Sequence, residues 1–177
     1  KEIKHLRQKS TEQLAALRTN TRVDGWETTV DEAYKLPQLA LSKTPQPTKL
    51  VVLLREKAQV MAVVEAIKNG TIEIQYLDSV VLDFEFGRDY AESIELLKSH
   101  HIKVGLATTR ILKPQEYQNL KNIKNLNPDF ILARNLGAIH YFKNVNVFDK
   151  EIRGDFSLNI TNHLTADYLL NKGLSSA

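Results

Sequence analysis

The sequence predicts an α/β protein: a partial (β/α) barrel of the TIM type with parallel strands, preceded by a helical segment. Three observations predict it. Short apolar runs of strand length alternate with stretches of helical period, recurring roughly every 25 residues, the scale of a βα repeat. No hairpin signal joins consecutive runs, so neighbouring strands should lie parallel and be linked by crossovers. The first run ends Leu54-Arg55-Glu56, without the glycine turn that most nucleotide-binding open sheets carry there, which favours the barrel over the doubly wound sheet.

The elements follow in order. Residues 1–20 carry Ile3, Leu6, Leu14 and Leu17 near a helical period, and 29–41 form a second helical patch interrupted by Pro37. Residues 42–48, polar with two prolines, read as a linker. Residues 1–48 are therefore assigned to a helical segment and linker, and 49–177 to the barrel portion. Leu50-Val51-Val52-Leu53-Leu54 is a continuous apolar run, as expected of a strand buried on both faces. The helix over 56–68 presents Val60, Val63, Val64 and Ile67, and stops at Asn69-Gly70. A strand over 79–84 leads to a helix over 89–100 with Ala91, Ile94, Leu96 and Leu97 inward. Further strands are expected at 103–107, 130–133 and 156–160. A helix starts near Pro114, and another spans 162–171 before Gly173. About five strands stand where a closed barrel needs about eight, so an unpaired edge is expected. A second copy, a domain swap or a missing chain segment would cover it.

Composition narrows the function classes. The 177 residues include no cysteine, which excludes a disulfide scaffold, a thiolate metal site and a cysteine nucleophile within them. This fits a reducing compartment, and the expected location is cytoplasmic. No apolar run approaches the ~20 residues of a membrane span, so no membrane association is expected. Beginning at Lys1 rather than Met is expected of an excerpt or a processed product. The net charge of +3 is scattered, not gathered into a basic stripe with aromatics, and reads as a solvated surface.

Strand alternation selects the candidate chemistry. Val80, Leu82 and Phe84 point one way; Asp83 and Glu85 point the other, at a strand's carboxyl end. Two carboxylates there suit acid–base work or a metal, or else Asp83 pairs with a neighbouring arginine and Glu85 sits in a loop. The next strands end Thr108-Thr109-Arg110 and Arg134-Asn135. Two arginines at adjacent strand ends make an anion pocket, or neutralise Asp83 and Glu85 across the mouth. Ser157 and Asn159 alternate with Phe156, Leu158 and Ile160 and are expected to face the barrel interior, where an asparagine must be hydrogen-bonded. A Ser157–His163–Asp155 triad is disfavoured, because the strained Gly-x-Ser-x-Gly turn is absent. No His, Asp or Glu spacing matches zinc, and no metal site is assigned.

At these residues the chain resembles the peptidase U32 family, the collagenase-like proteases, and most of all the subgroup with an extra domain inserted into the barrel. The resemblance runs through Leu82-Asp83-Phe84-Glu85, Ala107-Thr108-Thr109-Arg110-Ile111, Arg134-Asn135-Leu136-Gly137-Ala138-Ile139-His140-Tyr141-Phe142, Gly154-Asp155-Phe156-Ser157-Leu158-Asn159 and Thr161-Asn162-His163-Leu164-Thr165-Ala166. It implies a barrel enzyme named for proteolysis of collagen or similar proteins, binding a protein or peptide at its mouth. It equally implies relatives that hydroxylate RNA bases or quinones without molecular oxygen, using an iron–sulfur cluster held by downstream cysteines. This chain has no such cysteine, so no cofactor is expected in it, and a cluster would belong to the full-length protein. A fragment of this kind is expected to be inactive alone. Asp83, Glu85, Arg110, Arg134, Asn135, Ser157 and Asn159 are the expected substrate-binding residues, with catalytic residues unassigned. A peptidase is the first expectation, an RNA or small-molecule hydroxylase the second, and a non-catalytic binding module the third.

Overall fold

In the computed structural model the chain divides into two compact units, Lys1–Leu41 and Ser42–Ala177. The structure describes residues 2–19 of the first and 47–176 of the second. The helical patch at 29–41 and most of the linker lie outside the described residues. The first unit contributes helix α1 (Glu2–Thr19), whose Ile3, Leu6, Leu14 and Leu17 are exposed.

The second unit alternates strand and helix as its periodicity demands. In order come β1 (Leu50–Leu54), α2 (Lys57–Lys68), β2 (Leu77–Leu82), α3 (Tyr90–Ser99), β3 (Val104–Ala107) and α4 (Tyr117–Asn125). Then follow β4 (Phe130–Ala133), α5 (Leu136–His140), a π-helical turn (Tyr141–Val145), β5 (Glu151–Gly154) and α6 (His163–Asn171). All five strands pair parallel, in the order β1-β2-β3-β4-β5. Strand order thus never reverses, as it must in a doubly wound sheet.

The two faces of the sheet differ. Val80, Leu82, Val104 and Leu106 pack with Val60, Val64, Ile94 and Leu97 of α2 and α3. Ile131, Ala133 and Ile152 pack with Leu120, Ile139, Phe142 and Leu169 of the later helices. The opposite face holds a small cluster from strands alone, Val81, Ala107, Phe130 and Leu132. Buried helix side chains therefore lie against one face, the arrangement of part of a (β/α) barrel. Gly105 is required there: a Cβ would come 2.3 Å from the Phe130 ring that lies over it.

Four expectations need correction. β1 is not buried on both faces: among the described residues Leu50, Val51 and Leu53 are 55%, 54% and 38% exposed, because β1 stands at the edge of the five-stranded sheet. In α3 Ile94 and Leu97 are buried and Leu96 packs partly buried against the core as expected, but Ser93 is buried too, whereas Ala91 is exposed. The helix expected near Pro114 starts only at Tyr117, because Gln115 has φ 71°, which no helix accommodates. The fifth strand is 151–154, not 156–160. Glu151, Ile152, Arg153 and Gly154 pair with Phe130, Ile131, Leu132 and Ala133. Phe156–Leu158 instead form a 3₁₀ turn that closes on Asn159 at φ 52°. Beyond β5, Ser175 N–H donates to Ile152 O and Gly154 N–H to Ser176 O, both at 2.7 Å, so residues 175 and 176 lie along that strand.

Candidate functional site

Five strand ends converge at one rim. Three of the strands, β2, β3 and β5, run on by one residue of backbone pairing: Asp83 N–H donates to Leu54 O, Thr108 N–H to Leu132 O, and Asp155 N–H to Ala133 O. That pairing fixes where the next side chains point. Arg134, only 4% exposed, stands at the centre of the rim. Its Nη1 lies 2.9 Å from Asp83 Oδ1 and its Nε 2.9 Å from Asp155 Oδ2, so the acids that follow β2 and β5 grip one guanidinium. Asp83 also reaches Arg55, at 3.4 Å, after β1. Thr108, fully buried after β3, accepts the Arg134 N–H at 3.0 Å. Residues following all five strands are thereby tied together.

The remaining expected residues divide. Ser157 does not lie on a strand; its hydroxyl is 3.1 Å from both Asp155 Oδ2 and the Arg134 carbonyl, and so braces the clamp. Asn135 is held by structure: Oδ1 caps α5 by accepting from Ala138 N–H, and Nδ2 donates to Thr109 O. Arg110 is exposed at the rim with its guanidinium 4.8 Å from the Phe156 ring. Glu85 is exposed in the loop after β2, near the Phe84–Tyr90 pair whose phenol hydrogen-bonds both Phe84 N–H and O. Burial raises the Tyr90 phenol above its ordinary value, so it stays protonated and holds that loop. Asn159 does not face the interior: it is exposed, and its left-handed backbone closes the turn. His163 takes no part with Ser157; its Nε2 is buried and has no hydrogen-bond partner among the described residues.

A cavity of about 760 Å³ opens beside the clamp, lined by Arg55, Asp83, Glu85, Arg110 and Arg134 among others. Its volume is that of a small-ligand or peptide-side-chain site. Arg134 is buried and engaged by two carboxylates; Arg55 is paired with Asp83 but largely exposed, and Arg110 has no ion pair among the described residues, so these two face an incoming anion. Among the described residues no group of three or more His, Cys, Asp or Glu side chains is arranged to hold a metal. With no cysteine in the chain, these residues offer no thiolate ligands for an iron–sulfur cluster.

Sequence reasoning missed Arg55 and Asp155 as rim residues, and missed a second charged cluster on the inner sheet face. There Arg153 meets Asp78 at 2.7 Å and Glu151 at 3.1 Å, while Glu151 meets Lys103 at 2.7 Å. The Arg153 guanidinium stacks 4.1 Å from the Phe130 centroid. Its hydrogen bonds hold Asp78 and Glu151 below the ordinary carboxylate values. Burial pulls Arg153 down, but its bonds to Glu151 and Asp78 outweigh this and carry it upward. The charge–apolar–charge alternation of Glu151-Ile152-Arg153 was the available signal.

Fold and rim define a class of protein: a parallel (β/α) assembly whose polar groups gather at the carboxyl ends of the strands. Among solved structures, the U32 peptidase Mk0906 is similar in fold, with a TM-score of 0.54 and 12% identity. The likeness covers 80% of this chain and 61% of that one, so the chain spans about three-fifths of the peptidase's length. No protein-family model and no curated protein matches the sequence. Among the described residues no helix is long and apolar enough to cross a membrane.

Proposed function

We propose that this chain is the barrel portion of a peptidase of the U32 type, from the subgroup with an inserted domain, and that it binds a peptide at the rim. The observation that carries the reading is the Asp83–Arg134–Asp155 clamp opening onto a cavity at the carboxyl ends of parallel strands. The fold likeness to a U32 peptidase supports it. Arg110 and Arg55 take the carboxylate of an acidic side chain or chain terminus. Asp83, 20% exposed and opening into the cavity, takes a proton from the attacking water and later returns it to the leaving amine. Arg134 positions Asp83 and does not itself contact the peptide.

The test is digestion of gelatin and casein by the full-length protein beside its Asp83→Asn and Arg110→Met variants, with nucleoside mass spectrometry of a deletion strain. Cleavage that falls on the order of 10²-fold in Asp83→Asn supports the proposal. Intact gelatin together with loss of a hydroxylated nucleoside in the deletion strain rejects it and leaves the hydroxylase reading.

A further inference from the structure

A second cavity, of about 490 Å³, adjoins the rim cavity and is lined by residues of α3 and α4. Asp83, Phe84 and Glu85 line both, so the segment that ends β2 is the wall dividing them. That wall is braced. The Tyr90 hydroxyl bonds Phe84 N–H and O at 2.8 and 3.1 Å, and the two rings stand 4.9 Å apart.

The two sides of the wall differ in charge. The rim cavity carries Arg55, Lys57, Arg110 and Arg134. Among the described residues the second cavity carries no lysine, arginine or histidine, and its charged groups are Asp83 and Glu85. Asp83 is engaged by Arg55 and Arg134, whereas Glu85, exposed in its loop, makes no ion pair among the described residues. From α4 come the amides of Asn119, Asn122 and Asn125, whose oxygens can accept hydrogen bonds. Tyr90, Ile123 and Leu126 pack partly buried against the core and give the same cavity an apolar strip. Its volume suits a long side chain.

We propose that this cavity takes a basic side chain of the peptide bound at the rim, and so rests on the peptide reading of that rim. The stem of a lysine lies along Tyr90, Ile123 and Leu126, and its ammonium donates to Glu85 and the asparagine oxygens. An acidic side chain would meet like charge here, and a short neutral one would leave the volume unfilled. The two cavities therefore hold residues of opposite charge: a carboxylate on the arginine side, an ammonium on the Glu85 side, and Asp83 between them. Specificity for a basic residue beside an acidic one follows.

The test measures fluorescence anisotropy of labelled hexapeptides with the full-length protein, while mass spectrometry of the same mixtures reads cleavage. The peptides carry a Lys–Glu or a Glu–Lys pair in an alanine background. Matched controls replace lysine by norleucine, which keeps the stem and removes the charge. In one order or both, the lysine peptide should bind about tenfold tighter than its match, with the gap narrowing as salt rises. Glu85→Gln should close most of that gap and Glu85→Lys should reverse it. Glu73→Lys, which makes the same charge change ahead of β2, should leave it unaltered. Asn122→Phe, which puts bulk into the cavity from an exposed position on α4, should weaken the lysine peptide about tenfold. Equal affinity for lysine and norleucine peptides in both orders, the same loss in Glu73→Lys as in Glu85→Lys, or no loss in Asn122→Phe overturns the proposal. Lysine-dependent binding without any cleavage supports the pocket and rejects the peptidase reading alone, so the two failures stay distinct.

Discussion

Replacing Arg134 with methionine removes the guanidinium on which two carboxylates close while keeping much of the side-chain volume. Arg134 is 4% exposed, and the Asp155 and Asp83 side chains are 9% and 20% exposed. Removing one partner of a buried pair costs about 3–5 kcal/mol, because the charge left behind is neither solvated nor paired. The two acids do not suffer equally. Asp83 keeps Arg55 at 3.4 Å and has some access to water, so its share is small. Among the described residues the Asp155 carboxylate keeps only the Ser157 hydroxyl, and it carries most of the penalty. The expected loss is therefore near the lower bound, about 3 kcal/mol. Neutralising the stranded acid should return part of it: Arg134→Met with Asp155→Asn should be more stable than Arg134→Met by about 1–2 kcal/mol. Urea denaturation followed by far-ultraviolet circular dichroism measures both, with midpoints expected to fall by about 1–2 M in the single variant. A single-variant loss under about 1 kcal/mol, or a double variant no better than the single, would refute the argument that burial makes this clamp costly to break.

Two further perturbations address the inner face. Asp78 and Glu151 are held below their ordinary values of 3.8 and 4.5, chiefly by hydrogen bonds from Arg153. Their contribution to stability is thus complete above those values and is lost as pH falls through them toward the lower folded values. Arg153→Met should flatten the decline in stability between about pH 5 and pH 3, read from urea melts at the two pH values; equal slopes in both proteins would count against the network. Gly105→Ala places a methyl 2.3 Å from the Phe130 ring and should cost about 1–3 kcal/mol by overpacking, with thermal melting as the readout. Adding Phe130→Leu should recover part of that loss, and a neutral Gly105→Ala would mean that the ring moves aside freely.

The parts of the fold legible in the sequence were those where a single local signal had no competitor. Phe130 to Ala133 is apolar throughout and bounded by Pro128-Asp129 and Arg134, and the strand is there. Asn162 accepts from Thr165 N–H and Gly173 follows α6 with positive φ, so both ends of that helix carried their usual residues. The fifth strand was misread because two patterns competed. Phe156, Leu158 and Ile160 alternate as a strand would, but Glu151-Ile152-Arg153 alternates too, with charge on the inner face. An inward ion network pays for charged side chains in a strand, and no period-two hydrophobicity pattern can announce it. The same limit hid Arg55 and Asp155. Each is the first residue past a strand, and its role depends on which neighbour stands beside it in the sheet, information that lies in the pairing and not in the local sequence.

That dependence also bears differently on the two readings the sequence left open for the arginines. Arg134 lies between acids from β2 and β5, two strands it does not belong to, and its own N–H is taken by Thr108 after β3. A guanidinium so engaged has little left with which to grip an anion; it aligns the rim. Arg110 has its guanidinium against an exposed aromatic ring and lines the cavity, where desolvation by an incoming ligand would strengthen its pull on a carboxylate. On the proposed reading one arginine fixes the geometry and the other faces what enters. On this division Arg110→Met should raise KM for an acidic peptide with little effect on the urea midpoint, whereas Arg134→Met should lower the midpoint first. Equal effects of the two substitutions on both quantities would erase the distinction.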